Sequence, residues 1–130
     1  MDEERFALRL DHFRMAIDAL DLALLQPEDE FMRDSIIKRF ELCFETARKM
    51  MRQWLVEQDE LTGTATKREV MQAAFATGLL TDAELWEEIA RWRNDASHEY
   101  DTQKAMQVVA FVRTRAADAF HQLRVVVESR

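Results

Sequence analysis

FMRDSIIKRFELCFETARKMMRQWLVEQ, running from Phe31 to Gln58, is the stretch whose pattern decides the fold. Ile36, Phe40, Cys43, Ala47, Met50 and Trp54 follow one another at steps of four and three, so on an α-helix they form a single stripe. Ile37, Phe44, Met51 and Leu55 form a second stripe beside it. At this spacing Met50, Met51 and Trp54 read as core rather than as the lining of a ligand pocket. The doubled stripe is wider than one internal seam requires. Such a helix packs against several neighbours or shares a surface with another chain.

Working outward, Phe6, Leu10, Phe13, Ile17, Leu20 and Leu24 repeat the three-and-four alternation and predict an amphipathic first helix. Pro27 ends it near Gln26, because the residue before a proline is pushed out of the helical region. On the other side DELTGTAT, Asp59 to Thr66, reads as a loop that finishes in a capping box. Thr66 accepts from the amide of Glu69 while Glu69 reaches back, which predicts a helix from Lys67 to about Thr77 with Gly78 as its positive-φ terminator. Thr81 and Glu84 have the same spacing and predict a second short helix through Leu85, Trp86, Ile89 and Trp92. After Tyr100, Ala105, Val108, Val112, Ala116, Ala119 and Leu123 mark a closing helix, with Arg113, Arg115, Asp118 and Arg124 toward solvent. Val125 to Val127 favours a strand locally, but no partner strand exists to pair with it. The sequence thus reads as an all-α bundle of three long and two short helices, one domain over residues 1–130.

Composition agrees. The chain has 130 residues, is 48% hydrophobic and 33% charged, and contains 2 Gly and 1 Pro, too apolar for disorder and too poor in turn-formers for many strands. Its net charge of −7 rules out a general basic surface for nucleic acid, so any such contact must be local. Cys43 alone can form no internal disulfide, which suits a reducing compartment, and the cytoplasm is the expected location. The acidic start MDEERFALRLDHF has no apolar signal core, and no run approaches the length of a membrane span.

Chemistry has few places to sit. His12, His98 and His121 are far apart and none has a His or Cys at metal-ligand spacing, so neither a metal nor a cofactor is expected. Two glycines cannot build a phosphate-cradling loop. The unusual run is Arg91-Trp92-Arg93-Asn94-Asp95-Ala96-Ser97-His98-Glu99-Tyr100, where cations, amide, hydroxyls, imidazole and phenol interrupt the apolar pattern. On one continuous helix Arg93 and His98, five apart, diverge by about 140°. To meet on one phosphate they need a break in the helix or a surface shared by two chains. Residue types alone also fit a plainer role, a helix end followed by a new N-cap with His98 and Tyr100 half-buried in packing.

The spacing Arg93-(four residues)-His98-x-Tyr100 resembles the Rx4HxY signature of the HEPN superfamily, as in HepT-type toxins and the related nucleotidyltransferase substrate-binding proteins. The long-helix segment Arg33 to Glu41 with Phe44-Glu45, and Gly78-Leu79-Leu80-Thr81-Asp82 followed by Trp86, are similar to that family as well, so the likeness spans roughly residues 6 to 125. It implies a dimeric, antiparallel five-helix HEPN-like bundle whose paired motifs form a cleft on the two-fold axis. It implies metal-independent endoribonuclease activity with Arg93 and His98 as catalytic residues. Asn94 and Ser97 would line the nucleotide or RNA site, and Tyr100 would be modified with AMP by a partner nucleotidyltransferase of the minimal (MNT) type. Ser97 departs from the aliphatic residue common before the histidine in HepT toxins and leans toward the substrate-binding branch.

Two readings follow. The first is a HepT-like toxin of a type VII-like toxin–antitoxin pair. The second is a non-catalytic subunit that holds nucleotide or substrate for the nucleotidyltransferase. Asp95 and Glu99 lie within the motif and would repel an RNA backbone at close range, which favours the second. Reaction chemistry favours the first and a homodimer. An imidazole can take the 2′-hydroxyl proton or give one to the leaving 5′-oxygen, an Arg fork matches two phosphoryl oxygens, and two His98 side chains across a dimer could divide the proton roles.

Overall fold

A computed structural model describes residues 3–96 and 101–130. Among them are α1 (Glu3–Leu24), α2 (Glu30–Glu57), α3 (Lys67–Ala76), α4 (Ala83–Ala96), α5 (Thr102–Phe111), a π-helical turn (Val112–Ala116) and α6 (Ala117–Glu128), with no strand. The last three run end to end through helical backbone, so the described residues form five rods, three long and two short, as the apolar periodicity predicts.

The α1–α2 hairpin is the frame. α1 stops at Leu24, two residues earlier than predicted, because Leu25 and Gln26 donate to the Leu22 and Ala23 carbonyls in a tight turn before Pro27. Asp29 then caps α2, its carboxylate accepting from the Met32 amide at 2.7 Å. The two stripes of α2 face inward as expected, with Ile36, Phe40, Cys43, Phe44, Ala47, Met50, Met51 and Leu55 buried. Ile37 and Trp54 depart from the expectation; both are half-buried, and the Arg130 guanidinium lies 5.3 Å from the centre of the Trp54 ring.

The capping box of α3 is formed in both directions, Glu69 N to Thr66 Oγ1 at 3.1 Å and Thr66 N to Glu69 Oε1 at 2.9 Å. Gly78 ends that helix at φ +78°, where a side chain would be strained. The cap of α4 is corrected by one residue. Asp82, not Thr81, accepts from the Leu85 amide at 3.0 Å, so Leu85 and not Glu84 occupies the third helical position. An aspartate competes for the cap at least as well as a threonine.

Phe120 of α6 is the hub of the core. Its ring lies 5.8 Å from Trp86 of α4, 6.1 Å from Phe40 of α2 and 6.4 Å from Phe13 of α1. Along their outer edges α1 and α6 run antiparallel, tied by Arg14–Glu128, Asp18–Arg124 and Asp21–His121. The π turn sits where Val108, Val112, Ala116 and Phe120 are buried at three successive steps of four. Repeated steps of four rotate a stripe off the face of an α-helix, and the wider π turn brings it back. Among the described residues no helix is long and apolar enough to cross a membrane.

Candidate functional site

The Arg91–Tyr100 run begins on the last turns of α4, which extends to Ala96, beyond the Trp92 that the apolar pattern reaches. Of the predicted site residues, Arg93 and Asn94 are described; Ser97, His98 and Tyr100 lie outside the described residues. At Asp101 the backbone is extended, with φ −132° and ψ 121°, and its carboxylate caps α5 by accepting from the Gln103 amide at 2.9 Å.

Both flanks are tied together. Lys104, in the first turn of α5, lies 3.6 Å from the Asp95 carboxylate and 5.3 Å from the centre of the Trp92 ring. Trp92 is in turn stacked on Phe111 at 5.6 Å and 22°. The ammonium thus joins the first turn of α5 to the last turns of α4 with an ion pair and a cation–π contact.

Arg93 turns toward α2. Its Nη2 donates to Glu45 Oε1 at 2.8 Å, and its Nη1 makes a long 3.5 Å bond to the Asn94 side chain. The other Glu45 oxygen accepts from Arg48 Nη2, also at 2.8 Å. Arg48 is 7% exposed, the one charged or polar side chain buried among the described residues, and its Nε has no hydrogen-bond partner. Burial alone would push the Glu45 carboxyl up. The Arg48 guanidinium overcomes this by charge and hydrogen bond, Arg93 and Lys67 add to it, and Glu45 is held below its ordinary value. Glu45 thus ties Arg48 of α2 and Arg93 of α4 through its two oxygens.

Sequence reasoning missed Glu45, Arg48 and Lys104. Arg48 had left a signal, since it lies on the second apolar stripe of α2, four after Phe44 and three before Met51. A charge on an apolar stripe calls for a partner. The remaining chemistry-bearing residues lie elsewhere. His12 is exposed, His121 is paired to Asp21 at 2.9 Å, and burial, helped by Asp21, pushes the Cys43 thiol up to about 12, so it is no nucleophile. Among the described residues no three His, Cys, Asp or Glu side chains are placed to hold a metal ion.

Comparison with known proteins gives the setting. The chain is 35% identical over 78 residues to the probable ribonuclease HepT of Haemophilus influenzae, a match covering 57% of this chain and 53% of that protein. The match thus spans about half the length of that curated relative. A chain of the MntA–HpeT toxin–antitoxin crystal structure superimposes with a TM-score of 0.79 at 16% identity, over 98% of this chain and 100% of that one. The Haemophilus influenzae substrate binding domain of a nucleotidyltransferase gives 0.78 at 24%, over 92% and 98%. A chain from the complex of tri-AMPylated Shewanella oneidensis HEPN toxin with MNT antitoxin gives 0.76 at 17%, over 96% and 97%. At these identities the structures establish a shared fold. The family described as nucleotidyltransferase substrate binding protein like matches residues 8–128, nearly the whole chain, and this chain belongs to it.

Proposed function

We propose that this protein is a HepT-like toxin, a metal-independent endoribonuclease acting as a homodimer and neutralised by a minimal nucleotidyltransferase. The observation that carries the reading is the placement of Arg93. It is the first residue of the Rx4HxY run, held by Glu45 near the end of α4, with 27% of its side chain open to solvent. The likeness to a probable ribonuclease HepT supports it. Arg93 would bind two phosphoryl oxygens and stabilise the charge of the phosphorane. His98 of one protomer would take the 2′-hydroxyl proton, and His98 of the other would protonate the departing 5′-oxygen. Asn94 and Ser97 would hold the RNA or nucleotide in the dimer cleft. AMP on Tyr100 would occlude that cleft and set negative charge beside Arg93.

A second reading, a non-catalytic subunit binding nucleotide or substrate for the nucleotidyltransferase, is favoured by the substrate-binding family match and by Ser97 before the histidine. One experiment separates the two. Purified protein is incubated with RNA in excess EDTA, alongside His98→Ala and Arg93→Ala. The toxin reading expects 2′,3′-cyclic phosphate and 5′-hydroxyl ends from the wild type, with a rate on the order of 10²–10⁴ lower for His98→Ala. Wild type that leaves RNA intact yet binds nucleotide establishes the subunit reading. Cleavage that the chelator abolishes and magnesium restores refutes the mechanism.

A further inference from the structure

A chain of net charge −7 that takes RNA needs a place on its surface where its own carboxylates are few. Two segments meet that need. Residues 46–56 of α2 carry Arg48, Lys49 and Arg52, residues 61–68 carry Lys67 and Arg68, and neither segment contains an Asp or Glu. The fold sets them side by side. Arg52 Nη1 donates to the carbonyl of Ala65, two residues before Lys67, and Lys67 in turn acts by charge on Glu45, after Arg48 and Arg93. The first turn of α3 therefore lies along α2 between Glu45 and Arg52, about 10 Å of helix.

The charge on this seam is open to a ligand. Lys49, Lys67 and Arg68 are exposed, and none of the three has a carboxylate within ion-pair distance among the described residues. Arg14, Arg33, Arg113, Arg115 and Arg124, by contrast, each meet one. Arg52 is held by a carbonyl, which orients its guanidinium without neutralising it. The two acids at the edge are already engaged, Glu45 by Arg48 and Arg93, and Glu69 by the Thr66 amide of the capping box. That box also closes the end of α3, so side chains and not the helix end supply the charge. Cations spread over about 10 Å on two elements suit a chain of phosphates better than a single one.

We propose that Lys49, Lys67 and Arg68 form a docking surface for the phosphate backbone of the RNA substrate on the seam between α2 and α3. The surface rests on the ribonuclease reading above, and it adjoins the Rx4HxY run, since Glu45 at its edge holds Arg93. Contacts to phosphates position the strand and read no sequence.

The test is fluorescence anisotropy with a fluorescein-labelled single-stranded RNA of about 20 nucleotides, on the full-length His98→Ala protein in EDTA so that the RNA stays whole, at salt from about 0.05 to 0.2 M. Each phosphate contact on a single strand adds about 0.7 to the slope of log K against log salt, so Lys49→Gln/Lys67→Gln/Arg68→Gln lowers the slope by about 2 and weakens binding on the order of 100-fold at about 0.1 M salt. Lys49→Gln/Arg68→Gln, which leaves Glu45 all its neighbours, lowers it by about 1.4. Arg33→Gln/Arg113→Gln/Arg124→Gln takes the same charge from ion pairs elsewhere and keeps the starting slope. An equal loss in both triple variants would mean that total charge and not this seam governs binding, and overturns the proposal. An unchanged slope in the Lys49→Gln/Lys67→Gln/Arg68→Gln variant, beside a wild type that cleaves RNA, overturns it and leaves the ribonuclease reading standing. So does a variant that binds RNA as before but no longer binds the nucleotidyltransferase, which would give the seam to a protein. Loss of slope beside a wild type that binds RNA without cleaving it upholds the surface and refutes the ribonuclease. A chain that neither binds nor cleaves RNA overturns both.

Discussion

Phe120→Ala is the sharpest probe of how this bundle holds its motif. The Phe120 side chain is fully buried, and its ring meets Phe13, Phe40 and Trp86, one from each of three other helices, at 6.4, 6.1 and 5.8 Å. Truncating a buried phenylalanine costs about 3–5 kcal/mol, more where the surroundings cannot collapse into the space. Here three aromatic rings fixed on separate rods line the gap, so about 4 kcal/mol is expected, a large part of the 5–15 kcal/mol typical of a domain. With a urea slope of about 2 kcal/mol/M the unfolding midpoint falls by about 2 M. The measurement is urea unfolding followed by circular dichroism at one fixed protein concentration, so that association does not enter the comparison. Val125→Ala, on the same helix but 67% exposed, is the control, and surface changes of this kind stay within about 0.5 kcal/mol. A midpoint shift below about 0.5 M for Phe120→Ala would refute the assignment of Phe120 as the hub.

Asp82→Ala is expected to cost about 1 kcal/mol in the same assay and Thr81→Ala close to nothing, because Asp82 holds the Leu85 amide; equal losses would restore Thr81 as the cap. Light scattering at micromolar concentration should report about twice 15.3 kDa, and a strict monomer would remove the divided His98 roles from the mechanism. Incubated with its genomic nucleotidyltransferase partner and ATP, the wild type should gain about 329 Da for each AMP attached and Tyr100→Phe nothing. An unchanged wild-type mass beside a partner active on another substrate would favour inhibition by binding alone.

The rods were legible because burial and periodicity coincide in them. Leu10, Phe13, Ile17 and Leu20 in α1, and Phe40, Cys43, Ala47, Met50, Met51 and Leu55 in α2, are buried where the three-and-four spacing puts them. Local punctuation was legible where one residue type is the only good solution, as with the Thr66–Glu69 box and the left-handed Gly78. It failed at Thr81 because two competent caps stand side by side and the sequence does not say which amide each will reach. Of the candidate site, Arg93 and Asn94 lie on the last turns of α4, and Ser97, His98 and Tyr100 lie outside the described residues. Glu45 was invisible because its link to Arg93 crosses 48 positions of sequence, and no periodicity along one helix encodes a bond to another.

The π turn bears on how the chain could tolerate a change of length. Around it the buried positions Val108, Val112, Ala116, Phe120, Leu123 and Val127 are spaced 4, 4, 4, 3 and 4. Remove one residue between Val112 and Ala116 and the spacing becomes 4, 3, 4, 3 and 4, the regular alternation of an unbroken α-helix. Both halves of the rod would still face the core. The same deletion within α6, between Phe120 and Val127, would turn everything beyond it by about 100° and carry Val127 out of the interior. The turn therefore behaves as a stored insertion, a place where this helix gained or can lose one residue without repacking, while its two arginines, Arg113 on the Leu24 carbonyl and Arg115 on Glu88, tie the turn to α1 and α4.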